Sequence, residues 1–385
     1  MSKLKSRDMY DFIPGMASIM EDTDVDVSVE VSDEAAEDVA EDMAEQDTVE
    51  EATESEAESE ETEEAVEMTL RKYAELENAL DHVKQYGVDR SFVSLMNYND
   101  TFGRVINVSF PSVESMDATG DPYSALSKNT IAGLESVLAT AWEWIKQLCE
   151  KIINAFKKAG TWVVDLFQGY ERKLKALDKK AEDAEFAKDW NSDVPASEKI
   201  VSTNAVNLMN PVKKQIHAQL VALMPKLTQE IDQYDEDAKS STDQAKAAKK
   251  FDTGFGKEYD KVKTAYETAK AKVKEDLSIK NLSDPLQTAK ALIKLGFDTW
   301  DGVRDLRADL AAAEKSVQQV RMEVAKMDSK KHTKGRSRAQ KVIARLLSML
   351  QRMTSLQITL HKDVCSICVK GASKILKYSE EKETD

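Results

Sequence analysis

One block of this chain limits what it can fold into more than any other feature. Between Glu21 and Glu67 there are 23 acidic residues and no Lys or Arg. The block is low in complexity, built largely of Glu, Asp, Ala, Val, Ser and Thr, with no aromatic residue, Gly or Pro. A run of this kind repels itself and offers little apolar area to offset the entropy of ordering, so disorder is expected from 21 to 67. Two readings share that expectation. The block is a solubilising acidic tail, or it is a propeptide that masks a basic body until it is cut away.

The rest of the chain has the opposite sign. The formal net charge is −16 over 385 residues, yet 1–20 carries three basic and two acidic residues. Residues 68–385 therefore hold 51 basic and 45 acidic residues, a net +6. Aromatic residues are 6% of the chain and charged ones 32%, with 7 prolines and 13 glycines. That balance favours long amphipathic helices over a sandwich or barrel. Three cysteines (Cys149, Cys365 and Cys368) are too few for a disulfide framework and fit a reducing compartment. No run of about 18 uncharged apolar residues is present, so no span is expected. Asp8 and Asp11 interrupt the segment where a secretory signal would need its apolar stretch.

The predicted fold class is mostly α: a disordered acidic leader over 1–67, a small α(+β) unit over 68–126, and an elongated multi-helix body with a basic C-terminal region over 127–385. In the small unit, Thr69 is placed to cap a helix that carries Leu70, Tyr73, Leu76, Leu80 and Val83 and stops at Gly87. A short helix or strand is expected near Phe92–Met96, and Val105–Phe110 alternates like a strand. From Leu134 to Phe156, and again from Trp162 to Phe167, one apolar stripe argues for a buried helix face. Residues 236–276 read as a solvated hairpin or arm. The stretch 338–378 carries apolar residues at three- and four-residue steps from Val342 to Ile375, interrupted at Gly371.

Chemistry finds little to work with. Cys365 and Cys368 form C-x-x-C, with His361 four residues earlier, but no second pair completes a zinc set, and a redox site needs a strand before its helix. The four histidines fall in no metal or hydrolase motif, and neither a phosphate-binding Gly loop nor a nucleophile elbow occurs. No catalytic residue, metal ligand or cofactor is nominated, and the chain is read as non-enzymatic. The basic residues say more. From Lys315 to Lys377 there are fifteen Lys or Arg against three acids. Lys326, Lys330, Lys331, Lys334, Arg336, Arg338, Lys341 and Arg345 are the candidates for sequence-independent phosphate contacts.

Two phrases carry a family likeness: Leu-Asp-His-Val-Lys-Gln-Tyr-Gly-Val-Asp-Arg-Ser-Phe-Val-Ser-Leu over 80–95, and Gly-Asp-Pro-Tyr-Ser-Ala-Leu over 120–126. With the Glu/Ala-rich leader before them, they resemble internal head proteins of phiKZ-like giant tailed bacteriophages. The resemblance implies a virion protein made in the host cytoplasm, packed inside the capsid with the genome, and trimmed by a phage head-maturation protease. Its expected partners are that protease, packaged double-stranded DNA bound without sequence preference, and other internal head or capsid proteins.

The resemblance also implies cleavage after a small residue, any residue, then Glu. Ala65-Val66-Glu67 fits at the charge boundary, and Ser112-Val113-Glu114 fits at the end of the small unit. The same permissive pattern recurs at Glu30, Glu37, Glu198 and Glu314. A cut after Glu67 leaves the body at +6, and one after Glu114 leaves +7. The rival reading is a membrane-active protein using Trp142–Phe167 as an interfacial helix, with Trp142, Trp144 and Trp162 at the headgroup boundary.

Overall fold

The computed structural model describes residues 37–97, 103, 105–106, 108–110, 122–184, 203–238, 246, 257–273, 285–327 and 332–380. Among them the regular structure is helical throughout, with no strand. In chain order the helices are α1 (Glu37–Tyr86), α2 (Arg90–Asn97), α3 (Pro122–Ala139), α4 (Ala141–Asp183), α5 (Thr203–Leu223), α6 (Leu227–Asp237), α7 (Lys257–Val273), α8 (Pro285–Ala325) and α9 (Lys334–Glu380). A single 3₁₀ turn, Met224–Lys226, joins α5 to α6 around Pro225.

Four helices of more than 40 residues, α1, α4, α8 and α9, make the frame. α8 lies against both α4 and α9, while α1 packs on α9, α3 and α4. The apolar stripe of α4 explains this arrangement. Trp142, Trp144, Ile145, Leu148, Cys149 and Ile152 are all fully buried, and Trp162, Val163, Leu166 and Phe167 continue the face. At 25 cal/mol per Å², roughly, burying such large side chains is the main favourable term available to a chain this poor in aromatics. Lys151 of the same helix is buried as well.

α9 reads through Gly371 without a break. A Cβ there would sit 3.0 Å from Leu292 of α8, so the glycine gives α8 room to approach. Around that point Leu177, Ala181, Ala289, Ile293, Val364, Cys368 and Ile375 form a second, smaller core at the far end of α4.

Several expectations are corrected. Thr69 does not cap a helix; it lies buried in the middle of α1, whose first described residue is Glu37. The disorder expected across 21–67 does not extend over Ser55–Glu67, which is packed helix with Ser59, Thr62, Ala65 and Val66 buried. The strand expected at 105–110 is absent: 105 and 106 are helical and 108–110 are irregular, so the small unit is all α where it is described. The expected arm at 236–276 is not simply solvated, because Tyr259, Val262 and Tyr266 of α7 are buried. Positions 67 and 126 lie within α1 and α3. Gly87 does end α1, with φ +74, as the sequence predicts.

A charged seam between the first and last helices as candidate functional site

The reason α1 holds a packed position lies in its spacing. Ser59, Thr62, Val66, Thr69, Tyr73, Leu76, Leu80 and Val83 follow alternating three- and four-residue steps, and all are buried. This is a heptad seam, and it faces α9, α3 and α4. The periodicity crosses from the acidic block into the following unit without a phase change. Its chemistry does change: apart from Ala65 and Val66, the buried residues of 55–69 are small and hydroxylated, whereas those of 70–83 are large and apolar.

Charge fills the flank of the seam. Glu67 accepts two hydrogen bonds from Arg345, 2.7 Å from Nε and 2.9 Å from Nη2. Lys341 donates to Glu77 at 2.8 Å, and Lys334 donates to Asp81 at 2.8 Å. Nearer the start of α1, Arg352 donates to the Glu56 carbonyl at 2.8 Å and to the Ser59 hydroxyl at 3.2 Å, with the carboxylates of Glu56 and Glu60 at 3.6 and 3.5 Å. Tyr266 of α7 donates to Glu63 at 2.6 Å. Ser55 and Ser355 end the run with hydroxyls 3.2 Å apart. As the partner rises along α1 it falls along α9, so the two helices run antiparallel.

The electrostatics follow from these contacts. The hydrogen bonds from Arg345 to Glu67 hold the guanidinium charged more firmly than usual, against the cost of its partial burial. Burial raises the Tyr266 phenol far above its ordinary range, and acceptance of its proton by Glu63 adds to this. Arg352 is 4% exposed, so its charge is compensated almost wholly by α1.

Of the eight basic candidates, Lys334, Lys341 and Arg345 sit on this seam. Arg338 lies over the Tyr234 ring of α6 at 5.5 Å, and Lys326, just past the end of α8, pairs with Glu323 of that helix at 2.6 Å. Arg336, one turn into α9, lies at the same end of the helix. Lys330 and Lys331 lie outside the described residues, as does the Glu114 cleavage candidate. Glu67 is on the seam, preceded by buried Ala65 and Val66. Sequence reasoning missed Arg352, Tyr259 and Tyr266. The signal was there: Arg345 and Arg352 are seven residues apart, as are Glu56 and Glu63, and Glu60 and Glu67.

A family model, that of the phiKZ-like phage internal head proteins, matches residues 34–381, from just before the start of α1 to just past the end of α9. The chain belongs to this family. It is a bacteriophage virion protein of the head interior. No curated protein and no solved structure matches it.

The remaining candidates take core roles in this internal head protein. The Cys365 and Cys368 thiols are buried, and burial pushes the Cys368 thiol up to about 12 and Cys365 higher. Neither is the poised thiolate that metal or redox chemistry needs. Among the described residues no group of three His, Cys, Asp or Glu could hold a metal ion. His361 is buried with its Nδ1 2.7 Å from the Gln357 carbonyl. Among the described residues no helix is long and apolar enough to cross a membrane. Trp142 and Trp144 are fully buried and Trp162 nearly so, so an interfacial role for α4 would require it to leave the bundle.

Proposed function

We propose that this internal head protein is non-enzymatic, and that its acidic leader masks a basic helix until the leader is trimmed during head maturation. The observation that carries this reading is the pairing of α1 carboxylates with α9 cations. Within the leader, Glu67 engages Arg345, which sequence alone nominates for phosphate contact, and Glu56 and Glu60 flank Arg352, while Glu77 and Asp81, which a cut after Glu67 leaves in place, hold Lys341 and Lys334. A helix already neutralised in this way attracts little DNA, because the gain in binding phosphate comes from releasing counterions to free cations.

Cleavage after Glu67 would remove the first half of α1 and leave a body of net +6. Cleavage after Glu114 would also remove Leu70, Tyr73, Leu76, Leu80 and Val83, a whole layer of the main core. The Glu67 site is therefore the less disruptive of the two. It is nonetheless held in helix, and a protease needs extended backbone, so trimming there precedes docking of α1 or follows its local opening. After trimming, the body lies against packaged DNA in this reading and travels with it.

The test is the N-terminus of the protein recovered from mature virions, by intact mass and terminal peptide mapping. A start at Met68 or Ser115 supports trimming. A start at Met1 or Ser2 overturns it and leaves the acidic block as a permanent part of the fold.

A further inference from the structure

We propose that the face of α9 beneath residues 55–67 of α1 is a binding surface for a DNA phosphate backbone, anchored by Arg352 and Arg345, and that duplex DNA displaces this acidic segment from it. The proposal rests on the reading that the protein associates with DNA, and deepens it by naming the surface and its internal competitor.

The surface has the chemistry of a phosphate cradle. Arg345 presents two N–H groups in a fork to one carboxylate of α1, a geometry that a phosphate accepts equally well. Arg352, two helical turns on, is buried beneath the same segment, and its Nε has no hydrogen-bond partner. That is a spare donor in a place where burial makes an unmet donor costly. Tyr266 adds a hydroxyl from α7, and Tyr259 of the same helix lies buried beside Arg345. Arginine forks with phenolic hydroxyls suit oxyanions rather than apolar ligands.

The segment that now fills the cradle imitates what it would exclude. Glu56, Glu60, Glu63 and Glu67 follow steps of four, three and four residues, and each meets Arg352, Tyr266 or Arg345. On a helix those steps place one negative charge every ~5.5 Å along the axis, sparser than the ~3.4 Å per phosphate of a DNA strand, so duplex DNA is the denser polyanion of the two.

The segment is also built to leave. Under it the seam is Ser59, Thr62, Ala65 and Val66, while the part of α1 that carries Glu77 and Asp81 is anchored by Tyr73, Leu76, Leu80 and Val83. Charge and small polar contacts hold the first half, and apolar burial holds the second. A competing polyanion therefore peels the helix back from its N-terminal side toward about Leu70, freeing Arg352 and Arg345 while Lys341 and Lys334 keep their partners.

The experiment uses the full chain and a short duplex of arbitrary sequence at low salt, read by amide hydrogen exchange. The expected result is binding with faster exchange over 55–67 and unchanged protection over 73–83. A chain carrying Glu56→Gln, Glu60→Gln, Glu63→Gln and Glu67→Gln should bind the duplex roughly tenfold more tightly, and adding Arg345→Gln and Arg352→Gln should remove that gain. Duplex binding with 55–67 still protected, or a neutralised segment that binds no more tightly, overturns this surface and leaves DNA association to other cations. Failure of both the wild-type and the neutralised chain to bind duplex overturns the DNA association itself. The exchange measurement on the wild-type chain requires no variant, so misfolding of a substituted protein does not obscure the outcome.

Discussion

Glu67 of α1 takes both arms of the Arg345 guanidinium of α9, and the two residues before it, Ala65 and Val66, are buried. The peptide bond after Glu67 is thus helical, set between buried Val66 and Thr69, and held near an ion pair, while Met68 itself is exposed. A glutamate-specific endopeptidase should cut it at least roughly tenfold more slowly in the folded chain than in the urea-unfolded chain, because cleavage must wait for local opening. Peptide mapping over a digestion time course reads this directly. Arg345→Gln should speed the native cut, and equal rates in folded and unfolded chains would show that this stretch opens freely.

The two arginines of the seam should differ in what they contribute to stability. The Arg345 and Glu67 side chains are each more than a third exposed, so Glu67→Gln should cost under about 1 kcal/mol. Arg352 is buried, and its loss removes the donor to the Glu56 carbonyl and Ser59 hydroxyl. Arg352→Met keeps most of the volume and should cost about 1–3 kcal/mol, below the range for a fully buried pair because Glu60 is solvated. Urea denaturation of the two variants side by side checks the order; a larger loss for Glu67→Gln would reverse it.

Much of the bundle was legible in the sequence, and α4 shows why. Its stripe from Trp142 to Phe167 repeats with helical spacing and uses large apolar residues, so pattern and burial coincide. The acidic half of α1 failed for the opposite reason. Over 55–67 its buried positions are Ser59, Thr62, Ala65 and Val66, which offer almost no hydrophobic signal, and the 23 carboxylates of 21–67 argue against order. What orders this half is a partner about 280 residues away, Arg345 for Glu67. Thr69 was misread on the same account, since a threonine ahead of an apolar run imitates a cap when the preceding turns look too polar to be helix. The basic candidates were chosen by density along the chain, which found Lys341 and Arg345 but passed over Arg352, isolated in sequence and buried in the fold.

The turn after α1 offers a cleaner test of local backbone chemistry. Gly87 has φ +74, and its N–H donates to the Val83 carbonyl at 2.9 Å, closing the helix. A Cβ at this position would also stand 3.3 Å from the Ser127 hydroxyl, which itself accepts the next N–H, that of Val88, at 2.9 Å. Gly87→Ala should therefore destabilise the fold by about 1–2 kcal/mol, the cost of a left-handed alanine plus a strained neighbour. Gly87→Asn should cost less, because asparagine tolerates that region. Thermal unfolding of both variants decides it, and an alanine variant as stable as wild type would mean that the helix ends differently in solution.

Two histidines, His361 and His332, set an acid limit on stability. His361 is buried in the bundle, its Nδ1–H donating to the Gln357 carbonyl and its ring edge-on to Phe167. Burial holds its pKa below the ordinary value, and the positive charge of Lys213 pushes the same way while the Gln357 carbonyl opposes. His332 is lowered as well, chiefly by burial. Because the folded state resists protonation, the unfolded chain binds more protons once pH falls below about 6.5. Stability should thus be retained above that pH and lost as pH drops toward the folded-state values. The raised carboxyl of Asp363 acts with the opposite sign: the folded state takes up its proton first, above the ordinary value of 3.8, so acidification favours the fold there until the effect is complete near 3.8. Urea midpoints should accordingly fall between pH 7.5 and pH 5.5, roughly a unit either side of an ordinary histidine. His361→Gln should flatten the fall, since glutamine cannot take up the proton. A midpoint that stays level across this range in the wild-type chain would show that both imidazoles ionise freely in the folded protein.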